Sequence, residues 1–273
     1  MAPRRRLDAE LVRRQLTSSR TEAQGMIAAN RVLVNGSIAD KGSRQVAPGD
    51  AVIIEGPPAR FVGRGAEKLE GALERFELDV AGLRALDAGA STGGFTDCLL
   101  QRGAHQVVAL DVGHGQLHER LRADERVINM ERTNVRHISA DDIGGRVDIV
   151  VGDLSFISLT LVIPALVSVC QPDAPMVMLV KPQFEAGRSE VGKGRGIITD
   201  PVIHERVKGE VADAFVAAGC SIVDWAVSPI TGADGNVEFL VWVSAPSADF
   251  TDFTDVTDVT DFTDFTDVTD VHQ

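Results

Sequence analysis

Between residues 63 and 246, short apolar runs alternate with amphipathic stretches, and no other feature of the chain constrains its fold as much. "LRALDAG", "HQVVALDV", "ERVINME", "VDIVVGDL", "APMVMLVKP", "CSIVDWAV" and "VEFLVWV" read as strands, being short, apolar and bounded by turn residues. "GAEKLEGALERF", "GGFTDCLLQRG", "QLHERLRAD", "ISLTLVIPALVSV" and "DPVIHERVKGEVADAFVAAG" carry helical spacing. Strands separated by helices predict an α/β domain, a mostly parallel, Rossmann-like sheet wrapped on both faces. The last two strands follow the final long helix directly and are expected to form an antiparallel pair at the edge. A chain of 273 residues with 44% hydrophobic content can build such a domain and a smaller one beside it.

The first sixty residues follow another pattern. Leu7, Leu11, Val12 and Leu16 recur at helical spacing, and Ser18 or Ser19 is placed to cap a second helix carrying Ala23, Met26 and Ile27. "RVLVNG" reads as a strand into a turn, and "VAPGDAVII" as a turn into another strand, giving a small α+β unit over 1–55. "GPPARFV" supplies a linker at 56–62, stiffened by two adjacent prolines. The large domain spans 63–246 and a tail of Thr-Asp repeats spans 247–273. The tail's period of three fits neither helix nor strand, and its like charges repel, so it is expected to be disordered and outside catalysis. Docking of its Phe and Val residues on a partner is the alternative.

Charge is distributed unevenly. The net charge is −13, yet residues 1–60 hold ten Lys and Arg against six Asp and Glu, while residues 249–271 hold eight Asp and no basic residue. Arg13, Arg14, Arg20, Arg31, Lys41 and Arg44 give the first unit a basic face suited to phosphate backbones. No apolar run is long enough to cross a bilayer, and "MAPRRRLDAELVRR" lacks the apolar core of a secretory signal, so a cytoplasmic protein without a membrane partner is expected. Cys98, Cys170 and Cys220 lie far apart in apolar runs and are expected to be buried free thiols; no metal-ligand spacing is present.

"LDAGASTGGFTDCLL", residues 86–100, is a strand running through a glycine-rich turn into a helix. In parallel sheets, ligands bind at the carboxyl ends of strands. The spacing of Gly89, Gly93 and Gly94 is not that of a dinucleotide fingerprint, no phosphate loop is present, and the turn carries no cation, which argues against a pyrophosphate ligand. A cofactor with an amino acid, a ribose and an adenine suits the turn better. Its ammonium would meet backbone carbonyls and Asp87, and Gly89, Ser91, Thr92, Gly93, Gly94 and Phe95 would line it. Asp111, ending the next strand, can accept from ribose hydroxyls, a logic shared with NAD sites. Thr133 and Asn134 in "MERTNVR" either hydrogen-bond the base edge or fill the loop. This set resembles the S-adenosyl-L-methionine site of class I methyltransferases.

Four charged residues are expected at the same mouth of the sheet. Asp153 ends "VVGD", Lys181 ends "VMLVK", Glu238 precedes the last strand, and Lys68 lies on the helix before the first. A lysine closing an apolar strand beside an acid is either a structural ion pair or a reacting group. The order Lys68, Asp153, Lys181, Glu238 resembles the K-D-K-E set of FtsJ-type RNA 2′-O-ribose methyltransferases. Leu7, Asp8, Leu11, Ser19, Arg20, Ala23, Ile27, Val32, Val34, Asn35, Gly36, Lys41, Ser43, Gly49 and Asp50 resemble an S4-type RNA-binding domain, with departures at Asn30 and Gly42. "RGAEKL", "DLSFISL", "VKPQFEAGR" and "GNVEFLVWV", joined to that unit, are similar to the TlyA-type, hemolysin-like ribosomal RNA methyltransferases over residues 4–243.

The resemblance implies transfer of a methyl group from S-adenosyl-L-methionine to a 2′-hydroxyl of ribosomal RNA, at a cytidine, within a ribosomal subunit or ribosome, without a metal. It implies that Lys181 accepts the proton or steers the nucleophile, that Asp153 orients Lys181 beside the methyl donor, and that Lys68 and Glu238 complete the network. Burial and the second cation disfavour a charged lysine, whereas the two carboxylates favour it. A membrane-active protein and a non-catalytic RNA-binding assembly factor are the alternative classes.

Overall fold

The computed structural model describes residues 4–17, 20–56, 60–187, 190–191, 196–232 and 235–248. The expected Ser18 or Ser19 cap, the prolines of the linker and the repeats of the tail lie outside the described residues.

The N-terminal unit packs helices α1 (Leu7–Arg13) and α2 (Arg20–Ala28) on short strands. Strands β1 (Arg5–Arg6) and β4 (Gln45–Val46) form one antiparallel pair, and β3 (Ser37–Ile38), β2 (Val32–Val34) and β5 (Val52–Ile54) form a second small sheet. Leu7, Leu11, Ala23 and Ile27 from the helices meet Val32, Val34, Ala39 and Val46 in one core. Asn35 and Gly36 join β2 to β3 with φ of 52° and 78°, the left-handed pair a two-residue hairpin requires.

The large domain holds β6 (Arg84–Ala88), β7 (Gln106–Leu110), β8 (Val127–Met130), β9 (Ile149–Gly152), β10 (Pro175–Val180), β11 (Ser221–Val227) and β12 (Phe239–Ser244). They form one sheet in the order β11-β12-β10-β9-β6-β7-β8. Strands β6 to β10 are parallel to one another, and β12 runs antiparallel between β10 and β11. The antiparallel pair stands at one margin, with β12 rather than β11 against β10, so that β11 is outermost.

The helices are α3 (Gly65–Arg75), α4 (Gly94–Gln101), α5 (Glu119–Arg122), α6 (Ile163–Ser168), α7 (Pro182–Glu185) and α8 (Pro201–Ala217). Alternate strand residues point to opposite faces. Leu86, Val108, Val150 and Met176 pack with Leu166, Val207 and Phe215 on one side. Ala85, Val107, Ile149 and Val177 pack with Leu69, Leu73 and Leu99 on the other. Both faces are covered, which is why these strands read as unbroken apolar runs. Cys98, Cys170 and Cys220 are buried free thiols, and burial pushes Cys98 and Cys170 up to about 12.

Two elements differ from the sequence reading. "ISLTLVIPALVSV" is a 3-10 turn (Leu159–Leu161) followed by α6, whose first turn holds Pro164, a position where proline is tolerated but which fixes where the helix begins. Helix α7 starts with Pro182 directly after Lys181 and is too short to show a period in sequence. Among the described residues, no helix is long and apolar enough to cross a membrane.

Strand β6 lies between β7 and β9, so the chain leaves it in one direction and later returns on its other side. The crevice beyond the carboxyl ends of β6 and β9 is therefore the switch point where open α/β sheets place their ligands.

Candidate active site

The turn after β6 packs onto the segment after β9 with no room for a side chain. Gly89 has φ +87°, and a Cβ there would lie 2.9 Å from the Asp153 carbonyl oxygen and 3.1 Å from Leu154 Cδ2. Gly93, at φ +97°, faces Leu117 and Leu121 so closely that any Cβ would collide with both. Gly89 N–H and Ala90 N–H donate to the Leu110 carbonyl at 2.8 and 3.0 Å. The Asp111 carboxylate then bridges two loops, accepting from Ser91 N–H at 2.8 Å and Gly113 N–H at 2.6 Å.

The resulting cleft, about 200 Å³, is lined by Gly65, Gly89, Ala90, Ser91, Thr92, Gly94, Phe95, Asp153, Ser155 and Lys181. A larger cleft of about 640 Å³ runs between the N-terminal unit and the large domain, past Met26, Ile53, Phe61 and His118. The Lys–Asp–Lys–Glu cluster converges on the smaller one.

Five sequence-predicted cofactor residues do not line it: Asp87, Gly93, Asp111, Thr133 and Asn134. Asp87 is fully buried beneath the turn, where its Oδ2 accepts from Thr96 Oγ1 at 2.6 Å and its Oδ1 has no hydrogen-bond partner among the described residues. Burial pushes this carboxyl up to about 7, against the Thr96 hydrogen bonds that pull it down. Thr133 Oγ1 donates to the Glu131 carbonyl, and Asn134 Oδ1 accepts from Arg136 N–H, capping the 3-10 turn Val135–His137.

The four charged residues do come together. Lys68 Nζ donates to Glu238 Oε2 at 2.6 Å and lies 3.6 Å from Asp153 Oδ2. Lys181 Nζ lies 2.5 Å from Asp153 Oδ1, an ion pair whose angles do not make a hydrogen bond, and donates to Ser155 Oγ at 2.8 Å. The sequence Glu238–Lys68–Asp153–Lys181 alternates in sign, so each charge brought out of water faces an opposite one, which such burial requires. Lys68, Lys181 and Glu238 are 8%, 7% and 3% exposed, and the Asp153 side chain is 21% exposed. Asp153 and Lys181 line the cleft, while Lys68 and Glu238 do not.

Several neighbours escaped the sequence reading. Gly232 leaves room for Glu238, since a Cβ there would lie 2.6 Å from Oε1. Asn236 is 1% exposed; its Nδ2 donates to the Gly196 carbonyl and its Oδ1 accepts from Ile198 N–H, both at 2.9 Å. Its one sequence signal is an amide set between a turn and an apolar strand. Phe156 is 91% exposed at φ +65°, with its ring 5.2 Å from that of Phe184. Lys181 Nζ also lies 5.7 Å from the Phe184 ring. A bulky residue in the left-handed region is costly and marks a position held for a purpose. An exposed aromatic beside a buried cation is a surface on which a base can stack.

The sequence profile of the FtsJ-like methyltransferases matches residues 61–245, and that of the S4 domain matches residues 5–52. The chain is 51% identical over 244 residues to the 16S/23S rRNA (cytidine-2′-O)-methyltransferase TlyA of Mycobacterium tuberculosis, covering 89% of this chain and 91% of the relative. The chain belongs to the TlyA-type branch of the FtsJ-like methyltransferase family. It is also 44% identical over 242 residues to YqxC of Bacillus subtilis, which is named for rRNA methylation, covering 88% of this chain and 86% of that one. A solved structure of a hemolysin-named protein from Streptococcus thermophilus matches with a TM-score of 0.72 at 40% identity, over 90% of both chains.

In the S4 domain, three of the arginines picked out by sequence, Arg13, Arg14 and Arg20, are tied to two buried carboxylates. Asp8 receives Arg6 and Arg20 at 2.8 and 3.0 Å, and Glu10 receives Arg13 and Arg14, both at 2.7 Å. Hydrogen bonding from Arg6 holds Asp8, and from Arg13 holds Glu10, well below the usual carboxylate range, against the opposing effect of burial. Arg13 and Arg20 keep half or more of their side-chain surface in solvent. Arg14 does not: its guanidinium also donates to the carbonyls of Asp50, Ala47 and Pro48, so it closes the domain's own loop. Arg31 donates to the Glu55 carbonyl, Arg44 contacts the Ile38 carbonyl at 3.4 Å, and Lys41 is exposed.

Proposed function

We propose that this protein transfers a methyl group from S-adenosyl-L-methionine to the 2′-hydroxyl of a cytidine in ribosomal RNA, acting in the cytoplasm on a ribosomal subunit. The carrying observation is the Lys181–Asp153 ion pair, placed in the switch-point cleft directly against the glycine turn.

The residues present fit that cofactor. The turn from Gly89 to Phe95 carries no cation for a phosphate, and its left-handed glycines let backbone approach closely. Each Asp111 carboxylate oxygen already takes one backbone N–H, and each retains a lone pair for a ribose hydroxyl. Ser91, Thr92, Gly94 and Phe95 line the same wall. Asp87 and Thr96 act from below, fixing the first turn of α4 against β6. When bound, the cofactor supplies an electrophilic methyl group and departs as a neutral thioether, so no general acid is needed.

The chain's own groups then have separable tasks. Lys181 sits in the cleft to take the proton of the incoming hydroxyl or to steer its oxygen. Asp153 fixes the Lys181 ammonium from one side and Ser155 from another. Lys68 and Glu238, out of the cleft, hold Asp153 from behind. Phe156 and Phe184 offer a ring surface beside Lys181 for a nucleobase. The S4-type unit over 1–55 grips phosphate through the outward faces of Arg13 and Arg20 and through Lys41 and Arg44, and the domain over 63–246 performs the transfer, with 56–62 as linker.

Support for the substrate comes from the family and from the TlyA relative, whose name states rRNA and a cytidine 2′-oxygen. The test is transfer of labelled methyl from S-adenosyl-L-methionine to purified ribosomal subunits and to their deproteinised RNA. Label should enter RNA, and more of it in the assembled particle. Cofactor and RNA binding without any label in either would instead establish a non-catalytic assembly factor.

A further inference from the structure

The wall of the cleft facing the acceptor is built from two separate segments, 153–159 after β9 and 181–185 after β10. Three of their mutual contacts involve groups that meet substrate or solvent: Asp153 with Lys181, Ser155 with Lys181, and the Phe156 ring with that of Phe184. A fourth contact lies away from the cleft. Glu185, at the end of α7, takes Ser158 Oγ–H on Oε2 at 2.5 Å and Leu159 N–H on Oε1 at 2.9 Å. Both of its oxygens are thus engaged, and the Leu159 side chain beneath them is 2% exposed.

Phe156 lies two residues before Ser158, in a backbone conformation that a phenylalanine does not hold unaided. Its ring is 91% exposed and, among the described residues, lies against one other ring, that of Phe184, so packing does little to fix it. The segment is anchored upstream at Asp153, whose N–H donates to the Ala88 carbonyl at 3.1 Å, and downstream at Glu185. Ser155 and Phe156 lie between these anchors. Burial pushes the Glu185 carboxyl above its usual range while the two hydrogen bonds pull it down, so its environment is one built around those bonds.

We propose that Glu185 is a positioning residue for the acceptor: by clamping Ser158 and Leu159 it holds Ser155 and Phe156 in register with Lys181, so that engagement of the RNA, and not of the methyl donor, depends on it. This rests on the proposed function. The donor side of the cleft is set by the turn after β6, whereas the side-chain hydrogen bonds of Glu185 among the described residues go to Ser158 and Leu159.

Three variants of the full chain test it: Glu185→Ala, Glu185→Gln and Ser158→Ala. Steady-state methyl transfer to ribosomal subunits gives KM for RNA and kcat, calorimetry gives cofactor affinity, and hydrogen exchange reads the amides of 154–160. Glu185→Ala should raise KM for RNA about tenfold, with kcat falling less, as expected when contacts that bind the acceptor lose their register while the Asp153–Lys181 pair stays in place. Cofactor affinity should stay within about twofold, and Leu159 N–H should exchange faster. Gln can still accept from Leu159 N–H and donate to Ser158 Oγ, so Glu185→Gln should stay near wild type, with Ser158→Ala between the two.

Wild-type KM and unchanged exchange in Glu185→Ala or Ser158→Ala would overturn the clamp, as would a loss of cofactor affinity in step with RNA. A Glu185→Gln chain as poor as Glu185→Ala would overturn it too. If the wild-type chain itself transfers no methyl, the proposed function fails, whereas the exchange data still decide whether Glu185 fixes the segment.

Discussion

In the S4 domain the carboxylates are buried and their cations are not: Asp8 and Glu10 are 0% and 1% exposed, while the Arg6, Arg13 and Arg20 side chains reach solvent. In the methyltransferase domain the cations themselves are buried, with Lys68 between Asp153 and Glu238 and Lys181 against Asp153. The first arrangement uses an inner anion to splay arginines outward, where water screens them and a phosphate can replace that water. The second withdraws two ammonium groups from water and leaves only the Asp153–Lys181 end open to the cleft. On the proposed function, the same pairing of opposite charges would serve as a grip in one region and as a reaction site in the other.

The sharpest way to break this contrast is to remove one cation from each network. Lys181→Ala should cut single-turnover methyl transfer by about 10²–10⁴, the range for a lost general base, with cofactor and RNA binding retained by filter binding and calorimetry. If Lys181 is the proton acceptor, raising the pH should recover part of that loss, because hydroxide can replace a base and cannot replace a steering group. Glu238→Gln keeps the shape and removes the charge facing Lys68; a smaller fall, about tenfold to a hundredfold, is expected because Glu238 acts only through Lys68 and Asp153. A Glu238→Gln loss as deep as that of Lys181→Ala would place Glu238 in the reacting set itself.

In the S4 domain, Asp8→Ala leaves its arginines solvated, so we expect about 1–3 kcal/mol of lost stability, the scale of removing a hydrogen-bonded buried partner, read from thermal melting. The sign with pH follows from the direction of the shifts. The Asp8 and Glu10 carboxyls sit below their ordinary values when folded, so their contribution is full above the unfolded carboxylate range and is lost as pH falls through the folded values. Acid should therefore loosen the S4 domain, and the Asp8→Ala chain should show less of that acid dependence.

The smallest effect is expected for the outward arginines. Arg13→Ala with Arg20→Ala should weaken RNA binding and lower the slope of log affinity against log salt by about 1 per arginine, leaving cofactor affinity unchanged. Arg14→Ala should instead lower the melting temperature, because its donors serve the 47–50 loop. An Arg14→Ala chain of wild-type stability with a reduced salt slope would erase the distinction between structural and RNA-facing arginines.

How far these roles could be read from sequence depends on how local the deciding physics is. The strands of the large sheet were legible because burial on both faces writes an unbroken apolar run, and Lys181 stood out by ending one of those runs. The pairing of Lys68 with Glu238 joins positions 170 residues apart and came into view only through the resemblance to a known arrangement. Asp87 read as a ligand contact; its place as the fourth residue of a central strand turns it into the interior instead, where Thr96 meets it. The left-handed backbone at Phe156 and the Glu185 clamp depend on two loops packing across β9 and β10, and neither leaves a periodic trace. Arg14 carries the same charge as Arg13, one position away on the α1 surface; only the path of the 47–50 loop separates their roles.

The position of the transferred methyl group tests the proposed chemistry most directly. Ribosomal subunits lacking the modification, incubated with the purified protein and S-adenosyl-L-methionine, can be digested to nucleosides and resolved by mass spectrometry. The proposed function predicts 2′-O-methylcytidine, with the added mass on the ribose fragment. A methyl group on a base nitrogen or carbon, with the ribose unmodified, would contradict it.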